Sequence, residues 1–437
     1  GFRSASVHMP LYLYHPSKTG RDSSIPDGTF RSLKRAIRIR HLLPRFRVAK
    51  RMPEVTQLPR RALKTGQPLR VVFFLPWMLE TGGAELFVEV LAKGLRKRGF
   101  EVAFVLTHRH SARNWRGRNR LHQISPLVFD LSGLRSQRDL AFALQSAFPR
   151  DRDLVSLNIG SEWHYRNNSS LSELSALGRG KSYAILFNSG VHAGSYLNFA
   201  ESFTGAIAVY ERLAESLRQV VPNSLVEMIH VGVLNSTHTP GGTRPGKVSR
   251  VRPRVGWLGR LHEEKQPLLF VEVAKQLSAK ADFVIAGEGE LASIVTEMSA
   301  GHPGLEFLGY VENGPSFIAS LDLLVITSYI EGIPLVAMEA LAMGVPVVAS
   351  DVGGTPDIVL HGRNGYLFPA GDSSSLLRIL SSLLRRRGER LRLLSKSAAE
   401  QGAPASMLAS EMVGRYADLF QRGLSNSSSN YSYSTKS

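Results

Sequence analysis

The sequence contains no cysteine among its 437 residues. This absence excludes disulfide bonds, thiolate zinc sites and cysteine nucleophiles, and it favours a reducing compartment. The chain also lacks an uninterrupted apolar run close to the roughly 18 residues that a membrane-spanning helix needs. No apolar segment follows the N-terminus, so we expect no secretory signal peptide. These absences together predict a cytoplasmic protein.

Acidic residues are scarce in residues 1–66, where 15 Lys and Arg accompany only three acids and give a net charge of +12 out of a total of +18. The rest of the chain is close to neutral, which argues against a nucleic-acid partner because such domains carry positive charge on their folded faces. Within this extension, residues 30–51 interleave basic residues with Leu33, Ile37 and Leu43 near helical spacing. The pattern predicts peripheral binding to an anionic membrane surface, and a solvated basic tail is the alternative.

The remaining chain alternates apolar strands with helices, a pattern typical of α/β domains with parallel sheets. Runs such as Arg70–Leu75 and Arg254–Leu258 are predicted strands, and a proline- and glycine-rich linker separates two such series. Two α/β units joined by a linker form a cleft, and ligands bind outside the carboxyl ends of the strands. We divide the chain into a basic extension (1–66), a first α/β domain (67–238), a linker (239–253), a second α/β domain (254–405), a C-terminal helix (406–424) and a serine-rich tail that we expect to be disordered (425–437).

The segment 323–350 carries two acids around a predicted helix start. A strand leads into a polar loop, and a helix is predicted to begin at Pro334, because proline suits the first helical position. Free N–H groups at that end favour a phosphate. Glu331 precedes the helix and Glu339 lies on its second turn, in otherwise apolar surroundings where a carboxylate needs a partner such as a sugar hydroxyl.

Three other segments place glycines or cations after strands. Gly259 and Arg260 follow a predicted strand, and Lys265 precedes a helix, so both cations are placed to neutralise a diphosphate. Lys265 has the alternative of pairing with a neighbouring glutamate. The glycine-rich segments at 286–290 and 81–85 allow close approach of the backbone to a ligand.

Together these segments resemble the retaining GT-B glycosyltransferases that carry an E-x7-E signature. Glu331 and Glu339 have that spacing, and the resemblance covers about residues 69–107 and 254–372 through, in order, GRLHEEK, IAGEGE, FLGYV, EGIPLVAMEALAMGVPVVASDVGG, GGTPDIV and HGRNGYLFPAGD. It implies an α/β GT-B fold with two Rossmann-like domains facing a central cleft. In this family the C-terminal helix crosses back onto the first domain.

The resemblance also implies roles for individual residues. Arg260 and Lys265 would hold the donor diphosphate, Glu331 would contact the transferred sugar and Glu339 the ribose. On the acceptor side the candidate catalytic histidine is His192, with His164 as its competitor. The other implied donor-binding residues lie in glycine-rich turns, beside the base or at the helix start: Gly82, Gly83, Gly259, Gly287, Tyr310, Val311, Gly332, Ile333, Pro334 and Leu335.

The implied activity is retaining transfer of a hexose from a nucleotide diphospho-sugar to a hydroxyl of a carbohydrate or lipid-linked acceptor, in cell-surface polysaccharide or glycolipid synthesis. The family generally needs neither a metal nor a cofactor, because Arg, Lys and a helix end supply positive charge. One alternative is another GT-B enzyme, such as an epimerase or a phosphorylase. A second is a catalytically silent subunit that binds a sugar nucleotide.

Overall fold

The structure is a computed structural model. It describes residues 68–76, 83–108, 115–131, 153–173, 180–232, 251–401 and 404–428, all of which belong to one compact unit. The basic extension and most of the linker lie outside these residues, as does Gly82. Within the described ranges, no helix combines the length and the apolar character needed to cross a membrane.

The first domain is built on a seven-stranded parallel sheet. Its strands are β1 (Arg70–Leu75), β2 (Glu101–Leu106), β3 (Val128–Asp130), β4 (Leu154–Asn158), β5 (Lys181–Leu186), β6 (Gly205–Ala208) and β7 (Leu225–Met228). Every residue of β1 is buried, which fits its position inside the sheet between β2 and β4. The strand order is β3-β2-β1-β4-β5-β6-β7. The first three strands are therefore added in one direction across the sheet, and from β4 onwards the strands are added on the other side of β1.

Helices connect these strands: α1 (Gly83–Lys97), α2 (Trp115–Ile124), α3 (Glu162–Glu173), α4 (Val191–Phe199) and α5 (Glu211–Val220). The longest, α1, buries one apolar face that includes Phe87, Leu91 and Leu95. It stops before Gly99, whose φ of +88° lies in the left-handed region that favours glycine after a helix. Gly83 is the first residue of α1.

The second domain repeats this architecture with six parallel strands: β8 (Arg254–Leu258), β9 (Asp282–Ala286), β10 (Leu305–Phe307), β11 (Leu323–Ile326), β12 (Val347–Ser350) and β13 (Gly365–Phe368). Their order is β10-β9-β8-β11-β12-β13, with the reversal between β8 and β11. The accompanying helices are α6 (Pro267–Leu277), α7 (Ala292–Ser299), α8 (Gly314–Ala319), α9 (Leu335–Ala342), α10 (Thr355–Ile358), α11 (Ser373–Leu383) and α12 (Glu389–Gln401). The prediction of two Rossmann-like parallel sheets is confirmed.

The last helix, α13 (Ala409–Ser428), packs on the first domain rather than on the second. The ring of Phe420 lies 6.5 Å from Phe100 and 6.1 Å from Tyr183. Val413 fits against Gly94 of α1, where a Cβ would overlap its side chain. The chain therefore leaves the second domain and returns to the first, where α13 packs against α1 and β5.

The predicted disordered tail from 425 is wrong for residues 425–428, because α13 continues to Ser428. A helix is costly to nucleate but gains a hydrogen bond for each residue added. Here the buried stripe of Met412, Tyr416 and Phe420 anchors the helix, so the serine-rich composition does not end it at once. Residues 429–437 lie outside the described part of the chain.

Candidate active site

The candidate site lies where the second sheet reverses its strand order. β8 and β11 are neighbours there, and the loops that follow them carry Gly259 and Arg260 on one side and Ser328 to Glu331 on the other. In open parallel sheets this crevice at the carboxyl ends of the strands is the usual ligand site. The topology therefore places both predicted groups at one edge.

Lys265 and Glu331 form a direct ion pair, with 2.6 Å between Nζ and Oε1. The Ser328 hydroxyl donates to the same Oε1 at 2.6 Å. Both charged side chains are largely shielded from solvent, with 22% of Lys265 and 10% of Glu331 exposed. The alternative pairing of Lys265 with a neighbouring glutamate is therefore wrong, and the structure joins two of the residues implied to be catalytic.

A buried network behind this pair fixes the backbone of Lys265. The Trp257 indole N–H donates to Thr327 Oγ1 at 3.0 Å. The Thr327 hydroxyl in turn lies 2.8 Å from the carbonyl oxygens of both Lys265 and Gln266. Sequence reasoning missed Trp257 and Thr327, because an indole and a hydroxyl inside apolar strands carry no recognisable spacing.

Gln266 adopts φ +49° and ψ +51°, and it is the one non-glycine residue with positive φ among the residues that the structure describes. This left-handed conformation is unfavourable for a residue with a side chain. It persists here because Thr327 holds the peptide on one side and α6 begins on the other. The turn directs the chain sharply from Lys265 into the helix.

Arg260 is the second residue after β8, and its side chain is exposed. Across the part of the chain covered by the structure, its guanidinium has no ion-pair partner. A bidentate cation without a carboxylate partner, close in sequence to Lys265, is suited to bind an anionic group. The two cations thus differ, since Lys265 already donates one of its three N–H groups to Glu331, whereas the guanidinium of Arg260 keeps all of its donors for an anion.

The turn after β9 approaches the turn after β8 closely. Gly287 has φ +144°, and a Cβ there would overlap the carbonyl oxygen of Gly259. The Gly287 N–H donates to the carbonyl of Gly309 at 2.8 Å, which brings the Tyr310 loop to the same edge. Tyr310 is 62% exposed and Val311 is half-buried. The three glycines allow the loops after β8, β9 and β10 to converge.

The start of α9 differs from the prediction by one residue. The helix begins at Leu335, and Pro334 occupies the capping position with an extended ψ of 107°. The peptide groups of Ala337 and Met338 donate to the Pro334 carbonyl, whereas the N–H groups of Leu335 and Val336 have no partner among the described residues. Pro334 therefore precedes the helix, and the end with free N–H groups is retained.

The first domain contacts this helix start. A Cβ on Gly83 would lie 3.4 Å from Leu335 Cδ1, and a Cβ on Gly332 would overlap the carbonyl oxygen of Phe187. Ile333 is buried in the hydrophobic cluster that contains residues of both domains. Gly83 thus faces α9 from the opposite side, whereas its neighbour Gly82 lies outside the described residues.

Glu339 is half-buried on α9, and its carboxylate has no ion-pair or hydrogen-bond partner within the described ranges. Its burial away from water raises its pKa above the ordinary value of 4.5. An acid left without a partner in this position is suited to accept hydrogen bonds from a ligand. The predicted ribose contact by Glu339 stays a prediction.

Glu339→Gln should raise the melting temperature at neutral pH. A carboxyl group whose pKa is raised by folding destabilises the fold when ionised, and this penalty vanishes once both states are protonated below pH 4.5. The gain from glutamine should therefore shrink as the pH falls towards 4.5, which melting curves across this range would measure. A difference between the two proteins that is constant with pH would contradict the assignment.

The candidate histidines of the acceptor side have different outcomes. His164 is fully buried and stacks on Phe74, with 3.8 Å between ring centroids. Burial lowers its pKa to about 3, so the imidazole is neutral and has no access to a substrate. The competing role for His164 is therefore wrong. His192 lies near the start of α4, and its side chain is outside the described residues, so its role stays a prediction.

No group of three or more His, Asp or Glu residues in the described part of the chain is arranged to hold a metal ion. The charged groups that the structure does bring to the cleft are Arg260, Lys265 and Glu331, with Glu339 on the adjoining helix. The start of α9 adds the positive end of a helix dipole beside these side chains.

Comparison with known proteins agrees with this geometry. Residues 252–386 match the family model described as Glycosyl transferases group 1. The chain is 81% covered by a structure of HepE from Anabaena in complex with UDP and glucose, with a TM-score of 0.62, 20% identity and 99% of that protein matched. The two-domain arrangement is the GT-B fold, as predicted.

Curated relatives match about a third of this chain. One, from Campylobacter jejuni, is an N-acetyl-D-galactosaminyltransferase acting on a diphosphoundecaprenol-linked glycan, 29% identical over 148 residues. Another, from Escherichia coli, is a UDP-Gal galactosyltransferase acting on GlcNAc-diphosphoundecaprenol, 32% identical over 133 residues. The match to the Campylobacter protein covers 32% of this chain and 41% of that relative. The match to the Escherichia protein covers 28% of this chain and 34% of that relative, so this chain spans less than half the length of either.

Proposed function

We propose that the protein is a retaining glycosyltransferase that moves a hexose from a nucleotide diphospho-sugar to a hydroxyl acceptor. The Lys265–Glu331 ion pair at the crevice between β8 and β11 carries this proposal. It joins a cation suited to a diphosphate and a carboxylate suited to sugar hydroxyls, inside a domain of the group 1 family.

In the proposed reaction, the bond between the anomeric carbon and the diphosphate oxygen breaks first. Positive charge develops on the sugar, and negative charge develops on the leaving diphosphate. Arg260, Lys265 and the free N–H groups of α9 stabilise that negative charge without a metal or a cofactor. The acceptor oxygen then bonds to the anomeric carbon on the same face, and its proton passes to the leaving phosphate, so the configuration is retained.

The roles of the remaining residues follow this placement. Glu339 binds the ribose, Tyr310 and Val311 lie beside the base, and His192 contributes to the acceptor side. The glycines at 259, 287 and 332 allow the backbone to approach the donor, together with Gly82 and Gly83 opposite. Glycine positions are suited to donor binding because, without a side chain, a ligand can reach the peptide groups.

Nucleotide sugars should stabilise the protein against thermal unfolding. A ligand at 100 times its dissociation constant adds about 2.7 kcal/mol to the free energy of unfolding. We therefore expect one of UDP-, GDP- or ADP-hexose to raise the melting temperature, with a smaller effect in Arg260→Ala. No shift with any nucleotide diphospho-sugar at millimolar concentration would contradict the proposed donor class.

The proposed acceptor is a carbohydrate or a lipid-linked glycan of a cell-surface polysaccharide or glycolipid. The names of the Campylobacter and Escherichia relatives describe acceptors linked to undecaprenol diphosphate. The charge of +12 in residues 1–66 supports peripheral binding at the cytoplasmic membrane face, where each Lys or Arg adds about 1 kcal/mol close to an anionic surface.

Flotation with phosphatidylglycerol vesicles tests the role of the basic extension. The full chain should float with these vesicles at low salt and detach as the salt concentration rises, because the attraction is electrostatic. A protein lacking residues 1–66 should stay in the dense fraction. Equal flotation of the two proteins would contradict a role of the extension in membrane binding.

A further inference from the structure

Two acids of the second domain contact the first domain beside the candidate site. Asp351 follows β12 and Asp357 lies on α10. Both acids contact residues of the first domain, which lie at the beginning of α5 and, in the case of His230, after β7. We call Asp351 and Asp357 the junction acids.

Asp357 makes the more buried of these contacts. Its Oδ2 accepts a hydrogen bond from the Glu211 N–H at 2.9 Å and lies 3.2 Å from His230 Nε2. The side chains of His230 and Asp357 are only 11% and 13% exposed. The other junction acid, Asp351, pairs with Arg212 at 2.7 Å, but both of these side chains are far more exposed. Exposed ion pairs contribute little, so Asp357 is the principal contact.

The contact to Glu211 supplies a missing helix cap. Glu211 is the first residue of α5, and the preceding Tyr210 makes no side-chain cap hydrogen bond. The first N–H groups of a helix have no acceptor within the helix, and the positive end of its dipole favours a carboxylate. Helix α5 of the first domain therefore takes this capping acceptor from the second domain.

The same segment also touches the loop that carries Glu331. The Gly354 N–H donates to the Gly332 carbonyl at 2.7 Å. A Cβ on Gly353 would overlap the carbonyl oxygen of Glu331, and a Cβ on Gly354 would come within 2.6 Å of both Tyr210 Cβ and Ile333 Cδ1. Residues 351–357 are thus packed between α5 and the Glu331 loop and contact both.

We propose that Asp357 is a positioning residue, which holds the first domain against the segment packed on Glu331 and so fixes the relative position of the two sides of the cleft. This role in turnover rests on the proposed glycosyl transfer. Asp357 itself need not touch the donor. Displacement of reacting groups by about 1 Å can cost a reaction 100-fold, so loss of this contact affects the reaction more than it affects donor binding.

Distance measurement between spin labels tests this directly, because the chain has no cysteine of its own. Lys97→Cys on α1 and Glu297→Cys on α7 place one label on an exposed helix position in each domain. Asp357→Ala should broaden the distance distribution, and Asp357→Asn should broaden it less, because an amide oxygen can still accept from Glu211. Asp372→Ala is the matched control, since it removes an aspartate that caps a helix, α11, within the second domain only.

In turnover assays, Asp357→Ala should lower kcat about 10-fold or more while the Kd for a nucleoside diphosphate changes less than about threefold. Unchanged distance distributions in both folded Asp357 variants would overturn the proposal, and so would a parental kcat in both. Failure of the proposed function is recognisable separately. In that case the unsubstituted protein would turn over no nucleotide sugar, while the distances would still decide whether Asp357 holds the domains.

Discussion

Replacing Lys265 with methionine should lower kcat by about 100-fold or more. Methionine keeps much of the length of the side chain but removes the charge that would stabilise the leaving diphosphate. Glu331 would lose its ion-pair partner and keep only the hydrogen bond from Ser328, so the position of its carboxylate would also be less well fixed. Release of nucleoside diphosphate from the nucleotide sugar, measured at saturating donor, would report this loss.

Two comparisons separate this effect from damage to the fold. Lys280→Met removes an exposed lysine of the same domain and should leave kcat unchanged. Breaking a shielded pair leaves an uncompensated charge, so Lys265→Met should also destabilise the protein, and adding Glu331→Gln should restore part of that stability. The double variant should nevertheless stay inactive. Turnover of Lys265→Met within threefold of the parent would contradict the role of this lysine.

Gly287→Ala should lower the free energy of unfolding by about 3 kcal/mol, from the combination of backbone strain and steric overlap. At φ +144° a side chain is unfavourable, and the new Cβ would overlap the Gly259 carbonyl oxygen. Relief of the overlap requires the turns after β8 and β9 to separate. The variant should therefore also lose nucleotide-sugar binding, measurable by thermal shift and by calorimetry.

Gly301→Ala provides the matched control. Gly301 has φ +72°, yet a Cβ at that position meets nothing within 4 Å. It should cost about 1 kcal/mol from backbone strain alone and leave ligand binding unchanged. Equal losses of stability in the two variants would show that the close approach of Gly287 to Gly259 is not what requires glycine there.

The strands of both sheets could be predicted well because continuous burial requires continuous apolar runs. Arg70–Leu75 and Arg254–Leu258 have the predicted bounds, and each lies inside a parallel sheet. The ends of helices were harder to predict. Pro334 is compatible with both the first helical position and the position before it, and the serines after 424 disfavour a helix without preventing one.

The sequence indicated which residues to consider for the candidate site, but it did not indicate which of them are in contact. The E-x7-E spacing and the strand-end cations indicated Glu331 and Lys265, but 66 residues separate them, and only the sheet order brings them into contact. His164 shows the opposite case, because this histidine, which lies between Trp163 and Tyr165 in the sequence, is fully buried against Phe74. The contacts of Asp357 with the first domain depend on two distant segments and have no local signature.

A crystal structure of the protein with a bound nucleoside diphosphate would test the central claim most directly. The account predicts the diphosphate between the loops after β8 and β11, within hydrogen-bonding distance of Arg260, Lys265 and the N–H groups that start α9. The ribose hydroxyls should face Glu339. A nucleotide bound elsewhere, with the crevice around Lys265 and Glu331 left empty, would contradict it.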